Sequence, residues 1–108
     1  PVSDTVKQVD HLAGISGTVS RTDLWLAQTP QMFRYGLLRG SLNSALRQQW
    51  QPTDESAAVE GLGHSPLIVE GSRDNIKITR PEDLAIAEAI IQFQNESLRQ
   101  SSGDMELP

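Results

Sequence analysis

The sequence predicts an α/β fold from three observations. Short runs rich in apolar and β-branched residues recur along the chain. Longer stretches with helical apolar spacing alternate with them. Breaks rich in Gly, Pro and polar residues fall between the two kinds. That alternation belongs to an α/β layer structure, and 108 residues suffice for one small domain with a modest core.

The first element is a hairpin. Residues 5–10 (Thr-Val-Lys-Gln-Val-Asp) and 15–20 (Ile-Ser-Gly-Thr-Val-Ser) favour strands, and His11-Leu12-Ala13-Gly14 separates them. Gly14 is expected to supply the positive φ of the turn. Ile15, Gly17 and Val19 alternate, but the first strand alternates poorly. Such weak patterning suits an arm that projects from the body better than a buried sheet. Leu24-Trp25-Leu26-Ala27-Gln28 reads as a short buried strand, with Trp25 in the core, ended by Thr29-Pro30-Gln31.

A helix is expected over residues 34–49, with Tyr35, Leu38, Leu42, Ala45 and Leu46 on one face. Gly36 and Gly40 weaken it, Gln51-Pro52 breaks it, and Trp50 reads as a helix-end contact. A second helix opens at Thr53-Asp54-Glu55-Ser56, with Thr53 or Asp54 as N-cap. Ala57, Ala58 and Val59 form its apolar side, and Gly61 and Gly63 stop it. Leu67-Ile68-Val69 and Ile76-Lys77-Ile78 read as further short strands. A last helix is expected over residues 81–98, its broad apolar face made by Ile86, Ala87, Ile90, Ile91 and Phe93. Residues 99–108 read as a flexible tail. These strands are few and short, so a larger sheet is expected to lie outside them. The chain opens at Pro1 with no Met before Met32. It is therefore expected to be part of a longer protein.

Composition narrows the function. A net charge of -5 gives no general attraction to nucleic acid or to an anionic membrane. No apolar run is long enough to span a bilayer, and no signal-peptide pattern is present. Cysteine is absent, which excludes disulfides and thiolate metal sites and fits a reducing, cytoplasmic setting. His11 and His64 lack metal-ligand spacing.

The richest local signal is the passage from strand to helix around Lys77. Thr79-x-x-Glu82 has the form of a capping box, and Pro81 falls in the first helical turn, where its missing donor costs nothing. Lys77 then stands close to a helix N-terminus, where a cation and unpaired backbone donors can hold a phosphate. Taken alone, Lys77 reads first as a solvated strand residue. Thr5 reads as a β-favoured arm residue, Arg21 as a solvated hairpin-end charge, Thr29 as a turn former and Thr53 as a plain N-cap. Asp54 reads as structural, and Arg80 as an exposed first-turn residue.

The motifs Leu26-Ala27-Gln28-Thr29-Pro30-Gln31-Met32-Phe33 and Asp74-Asn75-Ile76-Lys77-Ile78-Thr79-Arg80-Pro81-Glu82-Asp83-Leu84 are long and specific. With Asp4-Thr5 and Arg21 upstream and Thr53-Asp54-Glu55 between, the chain from Pro1 to about Phe93 resembles the C-terminal half of the methylerythritol phosphate cytidylyltransferases. The resemblance implies the C-terminal part of a three-layer Rossmann-like nucleotidyltransferase fold with a protruding β-hairpin arm. It implies transfer of CMP from CTP to methylerythritol phosphate, with release of pyrophosphate, in non-mevalonate isoprenoid synthesis. It places Lys77 on the reacting phosphates, and Thr29 and Thr53 along the sugar-phosphate pocket. Thr5 and Arg21 reach that pocket from the opposite subunit of a homodimer formed through the hairpin arm. Mg²⁺ is implied, with its ligands and the CTP-gripping Gly-rich loop in a preceding half that these residues do not include, so the segment alone is expected to be inactive.

Charge supports these residue types independently of the family. A phosphate monoester carries roughly -1.5 to -2 charge at neutral pH. Arg offers it paired donors, Lys a point charge and Thr neutral donors. Two other readings stand beside the first: a non-enzymatic dimerisation module, and half of a nucleotidyltransferase for another polyol phosphate.

Overall fold

The computed structural model describes residues 1–103, with elements in the order β1 (Val6–Val9), β2 (Ile15–Val19), α1 (Tyr35–Arg47), α2 (Glu55–Gly61) and α3 (Pro81–Gly103). The chain divides into two compact units, Pro1–Glu70 and Gly71–Pro108.

In the first unit β1 and β2 pair antiparallel, Val6 opposite Val19 and Gln8 opposite Gly17. The register slips between Gln8 and Val9, which leaves Ser16 as the extra residue of a bulge. The Ser16 hydroxyl donates to the Gln8 carbonyl at 3.2 Å.

The connecting turn corrects one expectation. The left-handed residue is Ala13, with φ 62°, and not Gly14. The Ala13 N–H donates to the Asp10 carbonyl, and the Asp10 N–H donates to the Gly14 carbonyl. This is a three-residue loop ending in a left-handed position. Gly14 is needed for space instead. The Asp10 carboxylate folds over the turn and accepts from the Leu12 and Gly14 N–H groups, each at 2.9 Å. A Cβ on Gly14 would lie 3.0 Å from that carboxylate.

The core of this unit lies between α1 and α2. Ser41, Ala45, Ala58 and Val59 are its buried residues. Small side chains let the two helices approach closely, and the Ser41 hydroxyl is satisfied within its own helix by the Leu37 carbonyl at 2.7 Å. The buried stripe of α1 therefore runs through Ser41 and Ala45, flanked by half-buried Leu37, Leu38 and Ser44. Of the apolar face read from the sequence, Ala45 is buried and Leu38 half-buried, while Tyr35, Leu42 and Leu46 are exposed.

Helix α1 ends in a Schellman motif. The Trp50 N–H donates to the Ala45 carbonyl and the Gln49 N–H to the Leu46 carbonyl, with Gln49 at φ 57°. This brings the Trp50 ring onto Gly61, where a Cβ would meet Trp50 Cζ2 at 2.7 Å. Gly61 thus remains inside α2 to admit the indole. Gly63, at φ 87°, is the left-handed residue that ends the helix.

The body strands are corrected. Residues 24–28, 67–69 and 76–78 are not strands; among the described residues the only sheet is the β1–β2 pair. Nor are the first two of these runs buried. Trp25 is 40% exposed, Leu67 93% and Val69 88%. An apolar run becomes a strand only where another backbone completes its hydrogen bonds.

In the second unit α3 continues past Leu98 to Gly103, so residues 99–103 of the expected tail are helical; residues 104–108 lie outside the described residues. The apolar residues expected on its face are present, but the helix buries none of them: Ala87 and Ile90 are half-buried, and Ile86, Ile91 and Phe93 are more than half exposed.

Candidate functional site

Each predicted site residue has a definite local setting. Thr5 directly precedes β1, and Arg21 follows β2 closely, so the Val6–Val19 pair sets both at the same end of the hairpin. The Arg21 guanidinium donates to the Ser3 carbonyl, and the Leu24 N–H donates to the Arg21 carbonyl at 3.1 Å. One of the five guanidinium N–H donors is thereby occupied, and the side chain remains exposed.

Thr29 and Thr53 lie on two segments that are tied together. Gln31 is half-buried and lies two positions beyond Thr29. Its Nε2 donates to Asp54 Oδ2 at 3.0 Å, and its Oε1 accepts from the Ser56 N–H at 3.0 Å. Asp54 is the N-cap of α2, with Oδ1 accepting from the Ala57 N–H at 2.7 Å. The cap left open between Thr53 and Asp54 is therefore Asp54. Thr53 is exposed just outside the helix. The Gln31 amide and then the Ala57 N–H hold the Asp54 carboxyl below the usual aspartate value.

Lys77 belongs to the second unit and is exposed there. It lies between two hydrogen-bonded turns. On one side the Ser72 hydroxyl accepts from the Asp74 N–H and the Ser72 carbonyl from the Asn75 N–H. On the other, Asp83 Oδ2 accepts from the Thr79 N–H at 2.9 Å, the Arg80 N–H at 3.0 Å and the Thr79 hydroxyl at 3.2 Å.

That second cluster changes the reading of the α3 N-terminus. The reciprocal acid is Asp83, not Glu82, because Pro81 at the first helical position makes Arg80 the cap and Asp83 the third helical residue. The Thr79 and Arg80 N–H groups already meet a carboxylate, and Pro81 has no N–H. The Asp83 carboxylate thus already occupies part of the anion-accepting end of α3. The Thr79 N–H, then the Arg80 N–H, hold the Asp83 carboxyl below its ordinary value.

Among the described residues no group of three or more His, Cys, Asp or Glu side chains is arranged to hold a metal ion. The described residues therefore supply no ligand set for the implied Mg²⁺. No helix among the described residues is long and apolar enough to cross a membrane.

The bridging role of Gln31 and the capping role of Asp83 become visible in the structure. Gln31 falls within the Leu26–Phe33 motif, but its bridging role has no local signal, because its partners lie 23 and 25 positions away. Asp83 had one: placing Pro81 first in the helix fixes the third position at Asp83.

Residues 1–93 match the sequence profile of 2-C-methyl-D-erythritol 4-phosphate cytidylyltransferase. The chain belongs to the 2-C-methyl-D-erythritol 4-phosphate cytidylyltransferase family. It is 54% identical over 96 residues to the Chromobacterium violaceum cytidylyltransferase, covering 89% of this chain and 42% of that protein. It is 53% identical over 96 residues to the Vibrio cholerae cytidylyltransferase, covering 89% of this chain and 41% of that one. Among solved structures, the Thermus thermophilus cytidylyltransferase superposes with a TM-score of 0.77 at 36% identity, covering 85% of this chain and 45% of that one. A 4-diphosphocytidyl-2C-methyl-D-erythritol synthase superposes with a TM-score of 0.73 at 43% identity, covering 84% and 40%. These cytidylyltransferases share the α/β nucleotidyltransferase type of fold, and the chain spans about two fifths of the length of the relatives it matches.

Proposed function

We propose that this chain is the C-terminal, acceptor-holding part of a cytidylyltransferase that transfers CMP from CTP to methylerythritol phosphate. An oxygen of the acceptor phosphate attacks the α-phosphorus of CTP. A new P–O bond forms, the bond to the β-phosphate breaks, and pyrophosphate leaves. Both reactants are anions, so catalysis rests on holding them at contact distance and neutralising their charge.

In this reading the exposed Lys77 ammonium meets the reacting phosphates, and the Thr29 and Thr53 hydroxyls orient the sugar phosphate. Arg21 and Thr5 reach the pocket from the second subunit of a homodimer joined through the hairpin arm. The guanidinium donors not spent on Ser3 suit Arg21 to a phosphate. Mg²⁺ and the CTP-gripping residues are assigned to a preceding part of the enzyme, and the cysteine-free composition suits a cytoplasmic setting.

The family match over residues 1–93 carries the proposal. Its test is pyrophosphate release by the full-length protein with CTP and either methylerythritol phosphate or ribitol phosphate. Turnover with the first acceptor and little with the second supports it. Preference for ribitol phosphate favours an enzyme for another polyol phosphate, and absence of turnover with either leaves a dimerisation module. The 108-residue segment alone is expected to release no pyrophosphate.

A further inference from the structure

We propose that Gln31 is the positioning residue that sets the spacing of the Thr29 and Thr53 hydroxyls. The inference rests on reading those two residues as groups of the acceptor pocket. Thr29 lies on a loop, and Thr53 lies one residue before the cap of α2. The Gln31 side chain crosses from that loop to the start of α2 through both its amide nitrogen and its amide oxygen.

The chemistry of the bridge is specific to a carboxamide. One end must donate, because it faces the Asp54 carboxylate at 3.0 Å. The other must accept, because it faces the Ser56 N–H at 3.0 Å. A flipped amide would set N–H against N–H and oxygen against carboxylate, so the orientation is dictated by the partners. A glutamate in place of Gln31 keeps the acceptor but places one carboxylate against another. Apolar residues supply neither contact.

Asp54 is held in turn by α2, since its second oxygen caps Ala57 at 2.7 Å. The chain of contacts from loop 29–31 through Gln31 and Asp54 to the α2 backbone is therefore continuous. Loss of its middle member frees the loop, while the cap keeps α2 intact. The expected result is weaker acceptor binding with the fold retained.

The test is steady-state kinetics of the full-length protein as wild type, Gln31→Glu, Asp54→Asn and the double variant. Each single variant sets two like groups face to face. The double variant inverts the polarity of the bridge. The introduced asparagine amide donates to the introduced glutamate, which still accepts from the Ser56 N–H, and the asparagine carbonyl still caps Ala57. Each single variant is expected to raise KM for methylerythritol phosphate about tenfold, with kcat and KM for CTP within about twofold. The double variant is expected to return to within about threefold of wild type. Unchanged acceptor KM in the single variants overturns the inference, as does a double variant no better than Gln31→Glu. Should Gln31→Glu fail to fold, Asp54→Asn, which retains a capping oxygen, decides alone by the same acceptor KM. A wild-type protein without turnover sinks the functional reading as well. Normal wild-type turnover with indifferent variants sinks this inference alone.

Discussion

Substituting alanine for Gly61 tests the packing of α1 against α2, because two effects of opposite sign meet there. Gly61 is helical, so a methyl should help by up to about 1 kcal/mol through helix propensity. That methyl would meet Trp50 Cζ2 at 2.7 Å and Cη2 at 3.2 Å. The indole must retreat by about 0.7 Å to reach ordinary contact. The Schellman motif fixes the Trp50 backbone, so the indole can retreat only by turning its side chain out of its packed position. Overpacking of this kind costs about 1–3 kcal/mol. The steric term wins, and Gly61→Ala is expected to destabilise the chain by about 1 kcal/mol net. Gly40, inside α1, is the control. A Cβ there meets nothing within 4 Å, so Gly40→Ala should stabilise by up to about 1 kcal/mol. Urea unfolding followed by far-UV circular dichroism and by Trp50 fluorescence, in a Trp25→Phe background, reads both. A Gly61→Ala chain as stable as wild type, or a destabilised Gly40→Ala, refutes the reasoning.

Two further outcomes follow from local geometry. Ala13→Gly should stabilise the hairpin by about 1 kcal/mol, since Ala13 is held at φ 62° where glycine is unstrained; a lower melting temperature contradicts it. Acid should loosen the starts of α2 and α3. Asp54 and Asp83 both have folded-state values below the ordinary aspartate value of about 3.9. Their stabilising contributions are therefore complete above that value and vanish as pH falls through the folded-state values. The amide resonances of Ala57, Thr79 and Arg80 should titrate below the ordinary value, and titration at or above it would contradict the caps described here.

Much of the local structure was legible from residue types. Pro81 fixes the start of α3, the run Thr53–Ser56 announces α2, and the hairpin falls where β-branched residues flank a turn. Failures came where a contact spans the chain or where a partner decides the outcome. Leu67-Ile68-Val69 reads as a buried strand because its residues suit one, yet burial and pairing belong to the neighbours and not to the run. Gly14 suits a positive φ by its type, but the last residue of the three-residue loop is Ala13, which takes that conformation, while Gly14 makes room for the Asp10 carboxylate. At the candidate site, Lys77, Arg21 and the three threonines stood out through family motifs. Gln31 lies inside one of those motifs, yet its bridge to the start of α2 has no local signature. The broad apolar stripe read onto α1 was displaced because α2 presents Ala58 and Val59, and small residues on α1 meet them best.

The measurement that bears most directly on the functional account is pyrophosphate release from CTP and methylerythritol phosphate by the full-length protein, as wild type and as Lys77→Ala. Removing the ammonium from the reacting phosphates should lower kcat/KM by about a hundredfold or more, with the circular dichroism spectrum unchanged. Wild-type kinetics in the Lys77→Ala protein would contradict the account and return Lys77 to the role of a solvated surface residue.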